Sequence, residues 1–219
     1  MRIYPSVLSA DFGSFASELL TISSADAAHI DVMDNHFVPN LTFGLPVVER
    51  LQQLSPIPLD VHLMIEEVDT EALKYAEIGV ESVTYHLEAS KSPVELSREL
   101  RKMGTRVAAA IKPATEVSSL RELLPELDMV LIMTVEPGFG GQKLIQETLQ
   151  KVSAAREMIS SSGLQIALQV DGGVTEDNIG ELAELGADVF VAGTAVFGGE
   201  NREERILALR DKAISHAHR

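Results

Sequence analysis

His29, Asp31 and Met33 alternate within one short apolar run, and Asp60, His62 and Met64 alternate within the next. Side chains two apart in an extended chain share a face, so each run turns an imidazole, a carboxylate and a thioether to one side. Further runs end in Tyr85, His86 and Glu88, in Met133 and Thr134, in Asp171, and in Gly193 and Thr194; the first run carries Ser6 and Ser9. Burying a carboxylate or an imidazole costs on the order of several kcal/mol unless it is paired or bound to a metal. Together, His29, Asp31, His62 and Asp171 would form a set of two histidine and two aspartate donors. Nitrogen and oxygen donors of this kind suit one divalent ion per subunit: zinc as the first choice, or iron(II), manganese or cobalt. Any one of the four alone also reads as a satisfied core residue or a loop cap, but four at strand ends point to a shared site.

A second set is rich in glycine: Gly138, Phe139, Gly140 and Gly141; then Asp171, Gly172 and Gly173; then Gly193 with Thr194. Glycines let backbone N–H groups approach an anion, and a following helix N-terminus adds a dipole equivalent to about half a charge. Turns use glycine anyway, so the weight lies in three such segments in successive loops beside the ligand set. Lys143 is the nearby cation, and it reads equally as a solvated first-turn residue. Met33, Met64 and Met133 divide between core packing and a polarizable pocket lining. His36 and His86 divide between pocket wall and structural hydrogen bonding. His216 and His218, in a polar tail, read as solvated.

These residues need elements to hold them. Eight strand-like runs begin near Ile3, Ala28, Pro58, Ser82, Arg106, Met129, Gln165 and Asp188, which for 219 residues gives about 27 per unit. Helical spacing follows at Ser14 to Ser23, Leu45 to Leu54, Thr70 to Ile78, Pro93 to Met103, Leu144 to Ser160, Thr175 to Leu185 and Arg202 to Ser215, and most weakly at Glu116 to Leu124. Gly79, Gly104, Gly163 and Gly186 close periodic segments as helix C-caps do. Alternating strands and helices imply a parallel sheet. Eight similar units favour an α/β single-domain (β/α)8 TIM barrel spanning residues 1–219, with its active site at the C-terminal ends of the strands.

Composition narrows the partners. The 219 residues carry a formal charge of −15, which argues against nucleic acid or an anionic membrane surface but leaves room for a phosphorylated small molecule held by backbone dipoles. With no cysteine there is no disulfide framework, thiolate metal site or cysteine nucleophile. No signal pattern and no apolar stretch of the roughly 20 residues needed for a membrane helix occur, so the expected compartment is the cytoplasm.

The string His29-Ile30-Asp31-Val32-Met33-Asp34, followed by His36-Phe37-Val38-Pro39-Asn40, resembles the signature of ribulose-phosphate 3-epimerases. So do Pro5-Ser6, Asp60 to Met64, Met133-Thr134-Val135-Glu136-Pro137-Gly138-Phe139-Gly140-Gly141-Gln142 and Val170-Asp171-Gly172-Gly173-Val174, in order along essentially the whole chain. Two positions depart from the pattern. Asn35 stands where glycine is usual and Thr194 where serine is common; asparagine tolerates a left-handed backbone and threonine keeps a hydroxyl.

The resemblance implies inversion at C3 between D-ribulose 5-phosphate and D-xylulose 5-phosphate through an enediolate, in the pentose phosphate pathway or Calvin cycle. It implies Asp31 and Asp171 as the two acid/base residues, and a divalent metal on His29, Asp31, His62 and Asp171. It assigns Ser6, His62, Gly138, Phe139, Gly140, Gly141, Asp171, Gly172, Gly173, Gly193 and Thr194 to substrate, and Met33, Met64 and Met133 to a cap over the reacting end. Family members form dimers or hexamers, so a homo-oligomer is expected. The competing readings are a D-allulose 6-phosphate 3-epimerase, a sugar-phosphate lyase relying on Lys112, and a barrel that only binds a sugar phosphate.

Overall fold

A computed structural model of the protein describes residues 1–217. Eight strands, β1 (Arg2–Pro5), β2 (Ala28–Met33), β3 (Leu59–Met64), β4 (Ser82–His86), β5 (Arg106–Ile111), β6 (Met129–Met133), β7 (Ala167–Asp171) and β8 (Val189–Ala192), pair in parallel in the order β1-β8-β7-β6-β5-β4-β3-β2. The seam between β1 and β2 closes through an isolated bridge from Ser6 to His29. The architecture is therefore the expected (β/α)8 barrel.

Alternation along each strand builds two separate interiors. On β2 the outward residues Ala28, Ile30 and Val32 join the large apolar layer under the helices, while His29, Asp31 and Met33 point into the barrel. Inside, Tyr4, Ala108, Met129 and Val189 fill the lower end with apolar side chains. The upper end, where the strands finish, holds the polar set. Both faces of the strands are buried, as a parallel sheet requires.

The helices are α1 (Phe15–Thr21), α2 (Leu45–Leu54), α3 (Val68–Glu77), α4 (Pro93–Lys102), α5 (Leu149–Ser162), α6 (Ile179–Glu184), α7 (Thr194–Phe197) and α8 (Arg202–His216). Four departures from expectation have local causes. Glu116 to Leu124 forms a 3-10 turn at Val117–Leu120, and a second follows at Leu124–Glu126, where Pro125 cannot donate a backbone hydrogen bond. The helix expected from Leu144 begins at Leu149, because Gln142 is drawn back to the carbonyls of Glu136 and Phe139 and Ile145 N–H bonds Thr134 O. The helix expected from Thr175 starts at Ile179, behind a turn in which Asn178 accepts from Thr175 N–H. The short α7, starting at Thr194, had no periodic signal, being a single turn.

Asn35 has φ 60° and is the one non-glycine residue at positive φ among the described residues, so it takes the backbone its position demands. His216 is half-buried and its ring lies where a Cβ on Gly180 would be, a packing role rather than a solvated one. His218 lies outside the described residues. No helix among the described residues is long and apolar enough to cross a membrane.

Candidate active site

The register of β2 on β3 pairs His29 with Asp60, Asp31 with His62 and Met33 with Met64. Two short sequence motifs thus become adjacent ranks on the barrel wall, and Asp171 meets them from the end of β7. His29 Nε2 lies 3.3 Å from His62 Nδ1, 3.3 Å from Asp31 Oδ1 and 3.7 Å from Asp171 Oδ2. His62 Nδ1 lies 3.5 Å from Asp31 Oδ1 and 3.6 Å from Asp171 Oδ2. All four donor atoms fall within 4.8 Å of one another. A tetrahedral ion with bonds of about 2.0–2.1 Å to nitrogen and oxygen sets its donors about 3.3–3.4 Å apart. The donor set and its spacing fit such an ion.

The charges agree. Burial opposes the imidazolium of His29, yet the Asp31 carboxylate beside it and Asp60 behind it raise its pKa well above the histidine value. His62 is raised too, Asp171 and Asp31 outweighing burial. Burial likewise opposes the charge of Asp31, but His29 and His62 hold its carboxyl far below the usual carboxylate range. The centre therefore attracts positive charge.

Both histidines are supported from behind. His29 Nδ1 is 2.8 Å from Asp60 Oδ2, and Asp60 also accepts from Gln169 Nε2 at 2.9 Å and from the Ser82 hydroxyl. Wholly buried, Asp60 is kept ionised by these donors against the cost of burial. His62 Nε2 is 3.0 Å from His86 Nε2, whose Nδ1 in turn is 3.3 Å from Glu88 Oε2. Sequence reasoning placed Asp60 on the face of His62 without a role; the available signal was its position directly opposite His29 once the two motifs are aligned. It had no means of finding Ser82 or Gln169, whose partners lie on other strands. His86 resolves to structural hydrogen bonding, and burial keeps it neutral by pulling its pKa down to about 4. His36 is exposed, with Nδ1 2.8 Å from the carbonyl of Asp34.

Above this layer opens a cavity of about 440 Å³. Asp31, Asp171 and Ser6 line its floor together with Met33, Met64 and Met133. Ser6 donates to Asp31 Oδ2 at 2.6 Å. His29 and His62 do not line the cavity; they are fully buried beneath it.

The remaining expected residues form the wall. Gly138, Phe139, Gly140 and Gly141 come from the loop after β6, Gly172 and Gly173 from the loop after β7, and Gly193 and Thr194 from the turn into α7. The glycines after β7 are required by their surroundings. A Cβ on Gly172 would strike the Val135 side chain, and one on Gly173, at φ 66°, would strike the backbone of Leu144. Asn40 Nδ2 donates to Gly138 O at 2.7 Å, tying the loop after β2 across to the loop after β6. Among the described residues lining the cavity, Lys143 is the one cation. Lys112 is not on the lining; its ammonium stands 3.8 Å over the ring of Phe37.

Known proteins resemble the chain at two levels. Solved structures share the fold: KGPDC from Streptococcus mutans superposes with a TM-score of 0.74 at 14% identity, covering 98% of this chain and 97% of that one. 3-Hexulose-6-phosphate synthase from Salmonella typhimurium does so with a TM-score of 0.68 at 16% identity, covering 99% and 100%. Sequence relatives lie much nearer. The ribulose-phosphate 3-epimerase of Mycobacterium tuberculosis is 47% identical over 211 residues, 96% of this chain and 92% of that one. That of Escherichia coli K12 is 41% identical over 219 residues, 99% and 97% of the two chains. The profile of the ribulose-phosphate 3 epimerase family matches residues 2–197. With a matching profile across nearly all of the barrel, and relatives at this identity along its full length, the chain belongs to the ribulose-phosphate 3-epimerase family.

Proposed function

We propose that this barrel inverts C3 of a phosphorylated pentulose, interconverting D-ribulose 5-phosphate and D-xylulose 5-phosphate with Asp31 and Asp171 as paired bases. The observation that carries the reading is the convergence of these two carboxylates from β2 and β7 at the floor of one cavity, beside two buried histidines. The C3 proton is acidic because the C2 ketone conjugates with the carbanion. One aspartate removes it to leave a planar enediolate, the other delivers a proton to the opposite face, and the roles exchange with direction.

Asp31 lines the cavity with its second oxygen, Oδ2, fixed by the Ser6 hydroxyl. Held by His29, Asp31, His62 and Asp171, a divalent ion would supply electrophilic stabilisation of the charge that develops on the substrate oxygens. Zinc is the first choice, ahead of iron(II), manganese or cobalt. Met33, Met64 and Met133 keep the reacting end dry. The glycine loops, with Thr194, receive the phosphate, whose charge local N–H dipoles offset although the protein is acidic. The wider reading is of one catalytic domain over residues 1–219, in a cytoplasmic homo-oligomer of the pentose phosphate pathway or Calvin cycle.

Two features disfavour the alternatives. A lyase would need a lysine at the reacting carbon, but Lys112 is engaged with Phe37 outside the cavity. A mere binder would have no use for two carboxylates converging at the cavity floor. The deciding experiment is turnover of D-ribulose 5-phosphate in deuterated water, following D-xylulose 5-phosphate and the label at C3, with D-allulose 6-phosphate in parallel. Rapid pentulose conversion with deuterium at C3 is expected. Preference for the hexulose would move the assignment to that sugar, and conversion of neither with no label would overturn the epimerase reading.

A further inference from the structure

The ligand set dictates which nitrogen of each histidine must be free, and for His62 that demand runs outward to the rim of the barrel. His62 turns Nδ1 to the centre, 3.3 Å from His29 Nε2 and 3.5 Å from Asp31 Oδ1. A nitrogen that ligates a metal carries no proton, so the proton of the neutral ring sits on Nε2. That atom is 3.0 Å from His86 Nε2. Two imidazole nitrogens can share a hydrogen bond only when one donates and the other accepts. His62 donates, His86 Nε2 accepts, and the proton of His86 is left on Nδ1. Facing Nδ1 at 3.3 Å is Glu88 Oε2, which as part of a carboxylate can only accept.

We propose that Glu88, acting through His86, is the positioning residue that fixes the tautomer of His62 in which Nδ1 is free to ligate. The inference rests on the ligand set of the preceding section. It adds a two-step relay on one histidine beside the single-step support that Asp60 gives the other. Glu88 is itself held: Oε1 accepts from Lys112 N–H at 2.7 Å and from the Thr115 hydroxyl. Only the carboxylate satisfies all three donors. A glutamine of nearly the same shape must keep its carbonyl oxygen toward Lys112 N–H, which turns its –NH2 group onto His86 Nδ1. A donor there drives the proton of His86 to Nε2. His62 Nε2 must then accept, and its own proton moves to Nδ1, the ligating atom. Glu88→Gln therefore reverses the relay rather than merely loosening it.

The test uses the full chain with histidine nitrogens labelled with 15N, loaded with zinc, together with zinc affinity from competition with a chelator. In the wild-type protein, His86 should be protonated on Nδ1 and bare on Nε2, while His62 is protonated on Nε2. In Glu88→Gln the zinc affinity should fall about 10–100-fold, with the His86 proton found on Nε2. Either a wild-type His86 protonated on Nε2, or Glu88→Gln with unchanged affinity and tautomer, would overturn the relay. The wild-type spectrum decides the tautomer even if the variant does not fold. A wild-type protein that binds none of zinc, iron(II), manganese or cobalt is a separate result: it removes the ligand set, and the relay with it.

Discussion

Ser6 donates its hydroxyl to Asp31 Oδ2 at 2.6 Å, and the same serine forms the isolated bridge to His29 that closes the barrel between β1 and β2. The seam of the fold and the orientation of a proposed base thus depend on one residue. Both side chains are buried, and a hydrogen bond to a buried charged group is worth about 1.5–3 kcal/mol. Ser6→Ala should lower kcat for pentulose phosphate about ten- to hundredfold, with a small change in KM. Unchanged kcat would show that the hydroxyl does not orient Asp31.

The two carboxylates should separate by isotope. Asp31→Asn and Asp171→Asn should each reduce epimerisation by about 10²–10⁴-fold without unfolding the barrel. Each variant retains one base, so each should still wash deuterium into one epimer without inversion, and the two should do so on opposite epimers. Exchange on the same epimer in both variants would contradict a pair acting from opposite faces.

Chelation tests the donor set as a whole. Exhaustive removal of metal should abolish turnover, and zinc, iron(II), manganese or cobalt should restore it. Full activity in a rigorously metal-free preparation would eliminate the metal role of His29, Asp31, His62 and Asp171.

Acid should loosen the joint between the loops after β2 and β3 through Asp34. Its Oδ1 accepts from the N–H groups of His36 and Phe37 at 2.8 and 2.9 Å, and Oδ2 from Glu66 N–H at 2.8 Å, joining the loop after β2 to the loop after β3. Burial opposes the charge, but these donors together lower the carboxyl pKa. A lowered folded-state pKa gives stability that is present above the ordinary carboxylate pKa and is lost as pH falls through the lowered one. Asp34→Asn keeps two acceptor contacts and loses the third, so its Tm should lie below the wild type at neutral pH. The gap should close on acidification below about pH 4. A gap independent of pH would mean that the charge of Asp34 contributes nothing.

Much of the design is legible from one dimension, because alternation and strand-end chemistry are local. His29, Asp31 and Met33 announce a strand with one polar face without reference to any other segment. Helix ends are local too: Gly163 has φ 71° at the close of α5, as its place in the sequence implied. Elements that depend on neighbours were harder. The stretch from Glu116 gave 3-10 turns, and α5 began at Leu149 because the preceding loop bonds back to Thr134, just after β6.

By itself, the sequence determined the strand–helix alternation, the strand-end positions of His29, Asp31, His62 and Asp171, and the glycine-rich segments. Each of these is set by residue type and short-range spacing. Only the tertiary structure decided that Asp60, Ser82 and Gln169 stand behind His29, and that His86 and Glu88 stand behind His62. Gln169 and Asp60 are 109 residues apart in the chain. Hydrogen bonds across a barrel depend on strand register and on which nitrogen or oxygen faces inward, and no local periodicity encodes either.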